Sequence, residues 1–430
     1  MKKFNTLLLI LALSVGCSQE NASDKYAETI TSEELSDLIY EFSSDKFEGR
    51  NTGEPGQKLA VEFIRDFYKS NNIIKAENTE DYFQKFLVDF QSRQVTRPDN
   101  INEDNIDWVK TENVAAIIEG STYPNEYIVL TAHLDHVGTE NGEIFNGADD
   151  DGSGSMALLE IAEAFKLAEL DGNRPKRSIV ILHVSAEEKG LLGSKYYSEN
   201  PLYPLDDTIT NLNLDMIGRL DEDNNVYLGG VPTAYGLDKA IKPFIESSKL
   251  NVTSYQHTAS GVRSLFSRSD HYNFYKKDVP SLFFFTGIHK DYHTPRDEAN
   301  LVNYEGLKLI SDLAEKVIDN AANRNDRFEF RELPKLEEES ERTPARMKVS
   351  LGIMPDYSHQ GSGLKIDSVI DKRPAKNSGM KDGDVVIKIQ DTMIDDIYKY
   401  MEILSKIEPG TKVQATILRN NEELNIDVQF

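Results

Sequence analysis

The sequence predicts an α/β fold in which helices cover both faces of a mostly parallel central sheet, followed by a small β-rich unit. Apolar segments typical of buried strands alternate with helical patterns between residues 127 and 319, which favours a parallel sheet. Acidic residues or histidine follow several of these segments, where sites form in open α/β sheets. A charged, proline-containing stretch then precedes a unit of short strands and turns.

Composition excludes several classes of protein. The 430 residues exceed one ordinary core and indicate two or three domains. A content of 39% hydrophobic and 28% charged residues is typical of a folded globular chain. The formal net charge of −25 argues against a nucleic-acid or anionic-membrane surface. We therefore expect no nucleic-acid partner.

The first 17 residues indicate export. Lys2 and Lys3 precede an apolar run, residues 7–13, that is too short to span a bilayer. The run stops shortly before Cys17, in an order that resembles a bacterial lipoprotein signal with a lipidated cysteine, although Ser14 replaces the usual leucine. We expect an exported protein held at the bacterial cell envelope by a lipid anchor alone, in the periplasm or at the cell surface. A plain secreted protein is the alternative. Because Cys17 is the only cysteine, no internal disulfide can form.

Capping and apolar spacing predict the individual elements. Thr31-Ser32-Glu33-Glu34 is typical of a helix start, and helical spacing continues to Asn71. Strands are predicted after it over residues 81–90, 113–118, 128–132, 178–185, 210–214 and 281–285.

The stretch from Thr131 to Gly154 points most directly to chemistry. A predicted strand ends on His133, Asp135 follows, and three consecutive aspartates, residues 149–151, precede a helical pattern. Three adjacent carboxylates repel one another, so the arrangement makes physical sense mainly around a cation. A solvated acidic turn is the alternative, and this stretch alone leaves both open.

Further carboxylates and an imidazole follow the ends of other predicted strands. Glu187 and Glu188 follow one strand, Asp215 directly follows the next, and His293 comes after the last. A buried structural carboxylate could explain any one of them. Their convergence with His133 on one edge of the sheet is hard to explain by structure alone, so we expect a metal site.

Five motifs, in this order along the chain, resemble those of the co-catalytic dizinc aminopeptidase family, which also contains glutamate carboxypeptidase-like and glutaminyl-cyclase-like relatives. The resemblance covers residues 32–320 and implies a zinc-peptidase fold of the phosphorylase/hydrolase-like type. The motifs are His133-Leu134-Asp135, Gly147-Ala148-Asp149-Asp150-Asp151-Gly152, Ala186-Glu187-Glu188, Asp215-Met216-Ile217-Gly218 and Tyr292-His293-Thr294.

The resemblance implies two Zn²⁺ ions per chain. His133 and Asp215 would bind one ion, Glu188 and His293 the other, and Asp150 would bridge both. Zinc accepts imidazole and carboxylate ligands, so the set is chemically consistent, although cobalt or manganese suits similar ligands.

The resemblance also implies roles around the metals. Glu187 would be the general base that takes a proton from a metal-activated water. Tyr292 would donate a hydrogen bond to the oxyanion, and Asp135 would orient His133 through its other ring nitrogen.

Other positions are implied less directly. Arg268 aligns with an arginine near the substrate, and Phe285 with a wall of the first specificity pocket; a surface arginine and a core phenylalanine are the alternatives. Asp291 and Arg296 stand where some relatives have two disulfide-bonded cysteines, and we hypothesise an ion pair that closes the same loop.

The remaining histidines receive no metal role. His183 lies inside a predicted strand and is expected to be a hydrogen-bonded core residue. His271 follows a shared Asp270 and is expected to support the site. No ligand spacing marks the others, which are His136, His257, His289 and His359.

Residues 347–430 resemble a PDZ domain, a module that adds a peptide strand to an open sheet edge. The backbone of Leu351, Gly352 and Ile353 would then hold the terminal carboxylate of a peptide. A packing domain that binds no peptide is the alternative.

Together these patterns predict a lipoprotein signal over residues 1–17, a dizinc peptidase domain over 18–323, a charged linker over 324–346 and a PDZ domain over 347–430. The predicted function is that of an exported zinc aminopeptidase acting on peptides with a free N-terminus. A carboxypeptidase or glutaminyl cyclase of the same fold is an alternative. An inactive scaffold that uses its PDZ domain is a third, disfavoured because all five ligands and Glu187 are present.

Overall fold

The computed structural model describes residues 22–100, 107–140, 142–254, 266–333, 347–355, 362–370, 373–395, 397–420 and 422–430. The predicted signal with Cys17, most of the predicted linker, His257 and His359 lie outside these ranges.

A ten-stranded sheet forms the centre of the first unit, and two short strands, β6 and β7, form a separate hairpin. The strands are β1 (Ile74–Lys75), β2 (Phe83–Asp89), β3 (Gln94–Thr96), β4 (Val109–Ile118), β5 (Tyr123–His133), β6 (Gly138–Glu140), β7 (Glu143–Phe145), β8 (Arg177–Val184), β9 (Thr208–Leu214), β10 (Asn225–Gly229), β11 (Asn251–Ser254) and β12 (Ser281–Phe285).

The predicted parallel sheet is confirmed in the core of this unit. The strand order is β11-β10-β12-β9-β5-β8-β4-β2-β3, with β1 paired to β4. Neighbours among β12, β9, β5 and β8 run parallel, whereas β4 and β10 join this core in antiparallel orientation. The strands β10 and β11 were not predicted, because they are short and only partly buried.

Helices cover both faces of the sheet, as predicted. They are α1 (Ala22–Ala27), α2 (Ser32–Phe42), α3 (Pro55–Ser70), α4 (Gly154–Leu170), α5 (Leu192–Glu199), α6 (Leu237–Ser247), α7 (His271–Tyr275) and α8 (Tyr304–Asn323).

Alternate residues of the central strands point to opposite helical layers, as the period of two requires. Ile128 and Leu130 of β5 belong to a core cluster with α2, α3, α4 and α8. Val129, between them, belongs to a second cluster with Tyr197 of α5 and Phe274 of α7. Every residue of β8, β9 and β12 is buried, so the strand ends are held rigidly.

The C-terminal unit has its own hydrophobic core. It contains β13 (Ile353–Pro355), β14 (Leu364–Val369), α9 (Pro374–Asn377), β15 (Val385–Ile389), β16 (Thr392–Met393), α10 (Ile397–Lys406), β17 (Lys412–Arg419) and β18 (Glu422–Gln429). Within the described residues, β13 lies at one edge of its sheet. Buried Asp384 accepts two hydrogen bonds of 2.7 Å from Arg419, which ties β17 to the turn before β15.

No helix within the described ranges has the length and apolar character required to cross a membrane.

Candidate metal centre and active site

The predicted metal ligands lie at one edge of the sheet because they follow adjacent parallel strands. His133 is the last residue of β5, Asp215 directly follows β9, and Glu188 lies shortly beyond β8. His293 comes from the loop after β12, and Asp150 from the segment between β7 and α4. This edge holds the carboxyl ends of all four core strands, where open α/β sheets form their sites.

Asp150 lies between two groups of ligand atoms. Its Oδ1 is 3.1 Å from His133 Nε2, and its Oδ2 is 3.0 Å from His293 Nε2. On the first side, His133 Nε2 is 3.7 Å from Asp215 Oδ1; on the second, His293 Nε2 is 3.0 Å from Glu188 Oε1. The structure thus brings all five predicted ligands together, with Asp150 facing both groups.

The donor atoms of the second group fit a metal ion. Among the described residues, Asp150 Oδ2, Glu188 Oε1 and His293 Nε2 have no aligned hydrogen-bond partner, although the nitrogen lies 3.0 Å from both oxygens. Buried polar atoms without a partner are costly and rare. A cation between them would satisfy all three.

Asp151, the residue after Asp150, already accepts hydrogen bonds from the protein backbone. The Asp151 carboxylate accepts backbone N–H bonds from His133, Gly154 and Met216 at 3.0, 2.9 and 3.2 Å. Although Asp151 lies close to His133 and Asp215, these three donors already occupy both of its oxygens. Asp150 Oδ1 is therefore the better third ligand for the first group.

Hydrogen bonds from other segments position the ligands. Asn213 donates to Ser269 Oγ at 2.7 Å, and Ser269 donates to Asp215 Oδ2 at 2.6 Å, which leaves Asp215 Oδ1 for a metal. Such partners fix ligand orientation.

Asp135 contacts His133 differently from the prediction. The Asp135 backbone carbonyl lies 3.0 Å from His133 Nδ1, whereas its carboxylate is 3.9 Å away. The carboxylate instead accepts from Thr52 Oγ1 at 2.8 Å and from the backbone N–H of Glu187 at 3.1 Å. It therefore fixes the backbone of Glu187, next to the candidate ligand Glu188.

A cavity of about 300 Å³ opens on the first group of ligands. Its lining includes every residue predicted to have a catalytic or substrate-binding role, and one wall is apolar. The lining residues are His133, Asp150, Glu187, Asp215, Met216, Arg268, Ser269, Phe283, Phe285, Ile288, Tyr292 and His293.

Burial and charge set the protonation of the two predicted catalytic groups. Burial raises the pKa of Glu187 well above its usual range, and the nearby carboxylates of Glu188 and Asp270 raise it further. Burial also raises the pKa of Tyr292 well above its usual range, so the phenol keeps its proton. The Tyr292 ring stacks on His293 with 3.9 Å between ring centroids.

The hypothesised ion pair in the loop after β12 is present. Arg296 Nε lies 3.1 Å from Asp291 Oδ1. Arg219 adds contacts of 3.5 Å to Asp291 and 3.1 Å to Asp297.

Two other histidines with an expected role are buried, and the expectation for His271, that it supports the site, stays a prediction. His183 is fully buried, with Nε2 2.6 Å from Tyr68 Oη and Nδ1 3.3 Å from Ser155 Oγ, so it is a hydrogen-bonded core residue as predicted. Burial lowers its pKa to about 3. His271 is buried between Phe266 and Phe283.

The sequence patterns assigned no role to Arg50, which is fully buried and holds the backbone next to the predicted ligands His133 and Asp150. Its guanidinium donates to the carbonyl oxygens of Leu134, Asn146 and Gly147 at 2.9, 2.6 and 2.8 Å. No local pattern marks such a residue, since its partners lie far along the chain.

Comparison with known proteins is consistent with this site. Residues 113–318 match the model of Peptidase family M28, and residues 347–430 match that of the PDZ domain. Aminopeptidase YwaD of Bacillus subtilis is 28% identical over 212 residues, which cover 46% of this chain and 42% of that protein. A probable glutamate carboxypeptidase of Arabidopsis thaliana, LAMP1, is 36% identical over 107 residues, 25% of this chain and 15% of that protein. The chain thus spans less than half the length of either relative.

Solved structures share the fold. The LapA aminopeptidase of Legionella pneumophila superposes with a TM-score of 0.53 at 19% identity and covers 76% of this chain and 79% of its own. A glutaminyl cyclase of Porphyromonas gingivalis gives 0.51 at 17% identity, covering 68% and 98%. The predicted fold class is therefore confirmed.

Proposed function

We propose that this chain, which carries a Peptidase family M28 domain followed by a PDZ domain, is an aminopeptidase that depends on two metal ions. The observation that carries the proposal is the position of Asp150, whose two oxygens lie 3.1 and 3.0 Å from imidazole nitrogens of two separate ligand groups. The first ion would be held by His133, Asp150 and Asp215. Asp150, Glu188 and His293 would hold the second.

Zinc suits these imidazole and carboxylate donors. When bound, two such ions acidify a shared water and polarise the scissile carbonyl.

Glu187 is the general base in this proposal. Its carboxylate lines the cavity beside His133 and Asp215, and its backbone is fixed by Asp135. In this role its carboxylate takes a proton from water and returns it to the leaving amine. Tyr292, which keeps its own proton, donates a hydrogen bond to the developing oxyanion.

The cavity favours substrates with a large apolar first residue, because Met216 and Phe285 lie on its apolar wall. Arg268, also in the lining, favours a second candidate, a carboxypeptidase whose substrate carboxylate it would bind.

Replacing Glu187 with glutamine tests the general base. Glu187→Gln is expected to lower kcat on leucyl-nitroanilide by about 10²–10⁴-fold, because the amide cannot accept the proton. Metal content measured by mass spectrometry should not change.

Glu160→Gln is the matched control for this variant. Glu160 is a buried glutamate of α4, and burial raises its pKa to about 8, so it is mostly uncharged at neutral pH. Full activity is expected from the control. Full activity of Glu187→Gln would remove the residue from the mechanism.

Side-chain preference tests the apolar wall. Phe285→Ala is expected to lower the ratio of kcat/KM for leucyl- over alanyl-nitroanilide by about tenfold or more, since burying a leucine side chain contributes about 1.5–3 kcal/mol. A ratio does not depend on the fraction of folded enzyme.

Cleavage of N-acetylated peptides from the carboxyl end, reduced by Arg268→Met, would support the carboxypeptidase instead.

The PDZ unit is proposed to bind peptide C-termini along the edge of β13. Gly352 has a φ of 70°, and a Cβ there would lie 2.1 Å from Arg373 Cβ, so this turn is shaped for glycine. Its N–H donates to Ser350 Oγ at 3.0 Å, a bond that a peptide carboxylate would replace. In fluorescence polarisation, a random peptide pool with free C-termini should bind at least tenfold more tightly than the same pool amidated. Equal binding would favour a packing role.

Export and lipidation at Cys17 also belong to the proposal and rest on the sequence alone. Cys17→Ser is expected to move the protein from the membrane fraction to the aqueous phase of a detergent partition and to abolish fatty-acid labelling. Unchanged partition would argue against the anchor. We also propose the domain limits predicted from the sequence, which are a signal over residues 1–17, a peptidase domain over 18–323, a linker over 324–346 and a PDZ domain over 347–430.

A further inference from the structure

His136 is a fully buried imidazole at the proposed metal centre to which the mechanism gives no role. Its backbone N–H donates to the Arg50 carbonyl at 3.3 Å. Its ring lies against Gly147, where a Cβ would approach ring carbons to 2.5 Å. The ring is therefore held in one place by close packing.

Both ring nitrogens of His136 lack an aligned hydrogen-bond partner among the described residues. Nδ1 nevertheless lies 2.9 Å from Glu188 Oε1 and 3.7 Å from Asp150 Oδ2. These two oxygens and His293 Nε2 also lack an aligned partner. The four atoms lie within 4.8 Å of one another.

Short contacts without hydrogen-bond alignment are expected of atoms that surround one ion. With zinc bonds of about 2.0–2.1 Å in a tetrahedral site, neighbouring ligand atoms lie roughly 3.3 Å apart. The contacts of His136 to Glu188 and Asp150, at 2.9 and 3.7 Å, lie on either side of that value. Hydrogen bonding alone would leave the imidazole with an unaligned donor in a buried place.

We propose that His136 Nδ1 is a fourth protein ligand of the metal ion held by Asp150, Glu188 and His293. The inference rests on the proposed function, since it requires the metal centre. It extends that function by distinguishing the two metal positions.

The positions become unequal because the first has three protein ligands and the second has four. Metal sites filled by four protein ligands are usually structural, whereas catalytic sites keep an open position. The cavity is lined by all three ligands of the first ion, His133, Asp150 and Asp215. Of the four ligands of the second ion it is lined by Asp150 and His293 but by neither His136 nor Glu188. The more open position is therefore assigned to the first ion, beside Glu187. The second ion would take the shared water as a fifth ligand, an expansion that catalytic zinc sites allow.

The alternative is that His136 only donates a hydrogen bond to Glu188. Two substitutions separate these roles. In His136→Asn the side-chain amide can still donate a hydrogen bond from nearly the same place but is a poor zinc ligand. The cysteine of His136→Cys instead offers the metal ion a thiolate, which binds zinc and cobalt.

The experiment titrates the metal-free full chain with Zn²⁺ and Co²⁺ and follows stoichiometry, affinity and the cobalt absorption spectrum. The unaltered chain should bind two ions. His136→Asn should keep one ion with unchanged affinity and raise the Kd of the other by more than about 100-fold, beyond the 10–100-fold effect of groups that only orient a ligand. Cobalt-loaded His136→Cys should gain a thiolate-to-cobalt charge-transfer band.

His183→Asn is the control for placing an amide in the core, since His183 is equally buried and its ring nitrogens contact Tyr68 and Ser155. It should bind two ions with unchanged affinity. A smaller rise in Kd for His136→Asn, or no charge-transfer band for His136→Cys, would overturn the ligand role and leave the two-ion centre standing. An unaltered chain that binds no zinc would overturn the proposed function as well.

Discussion

The site depends on keeping three consecutive aspartates in the protein interior, where an uncompensated carboxylate costs several kcal/mol. The flanking two are compensated by the protein. Asp151 accepts three backbone N–H bonds from segments around β5, α4 and β9. Asp149 accepts from Gly218 N–H at 2.6 Å and lies 3.2 Å from His289 Nε2. Of the three, only Asp150 has both oxygens directed at imidazoles. It is left in the bridging position because backbone N–H groups and His289 already bind Asp149 and Asp151.

The buried guanidinium of Arg50 places a positive charge near these aspartates and offsets part of their mutual repulsion. Burial lowers the pKa of Arg50 to about 10, but the guanidinium remains charged at neutral pH. It joins the end of β5, through the Leu134 carbonyl, to the loop before the aspartates, through Asn146 and Gly147. One arginine cannot balance all the carboxylates at this edge, and the remaining negative charge is what divalent cations would neutralise.

The parallel core and the convergence of carboxylates and imidazoles on one edge could be predicted because both depend on a local pattern, an apolar strand followed by a ligand-type side chain. The choice of Asp150 among the three aspartates and the division of five ligands between two ions rested on the resemblance to the dizinc aminopeptidase family. Other features depend on partners distant in the chain, so no spacing reveals them. Arg50 meets Leu134 across 84 residues, and His136 meets Glu188 only because β5 and β8 are neighbours. The backbone carbonyl of Asp135, rather than its carboxylate, makes the shorter contact with His133, and this depends on backbone geometry that a motif does not specify.

The loop that carries His293 is fastened by ion pairs, and this fastening reaches both ligand groups. Arg219, four residues after the first-group ligand Asp215, contacts Asp291 and Asp297 on either side of His293. Asp297 in turn accepts the backbone N–H bonds of Asp149 and Asp150 at 3.0 Å each. Because Asp297 belongs to this loop and accepts the Asp150 N–H, a shift of the loop would also disturb the bridging aspartate. The two metal positions are therefore coupled through the protein as well as through their shared ligand.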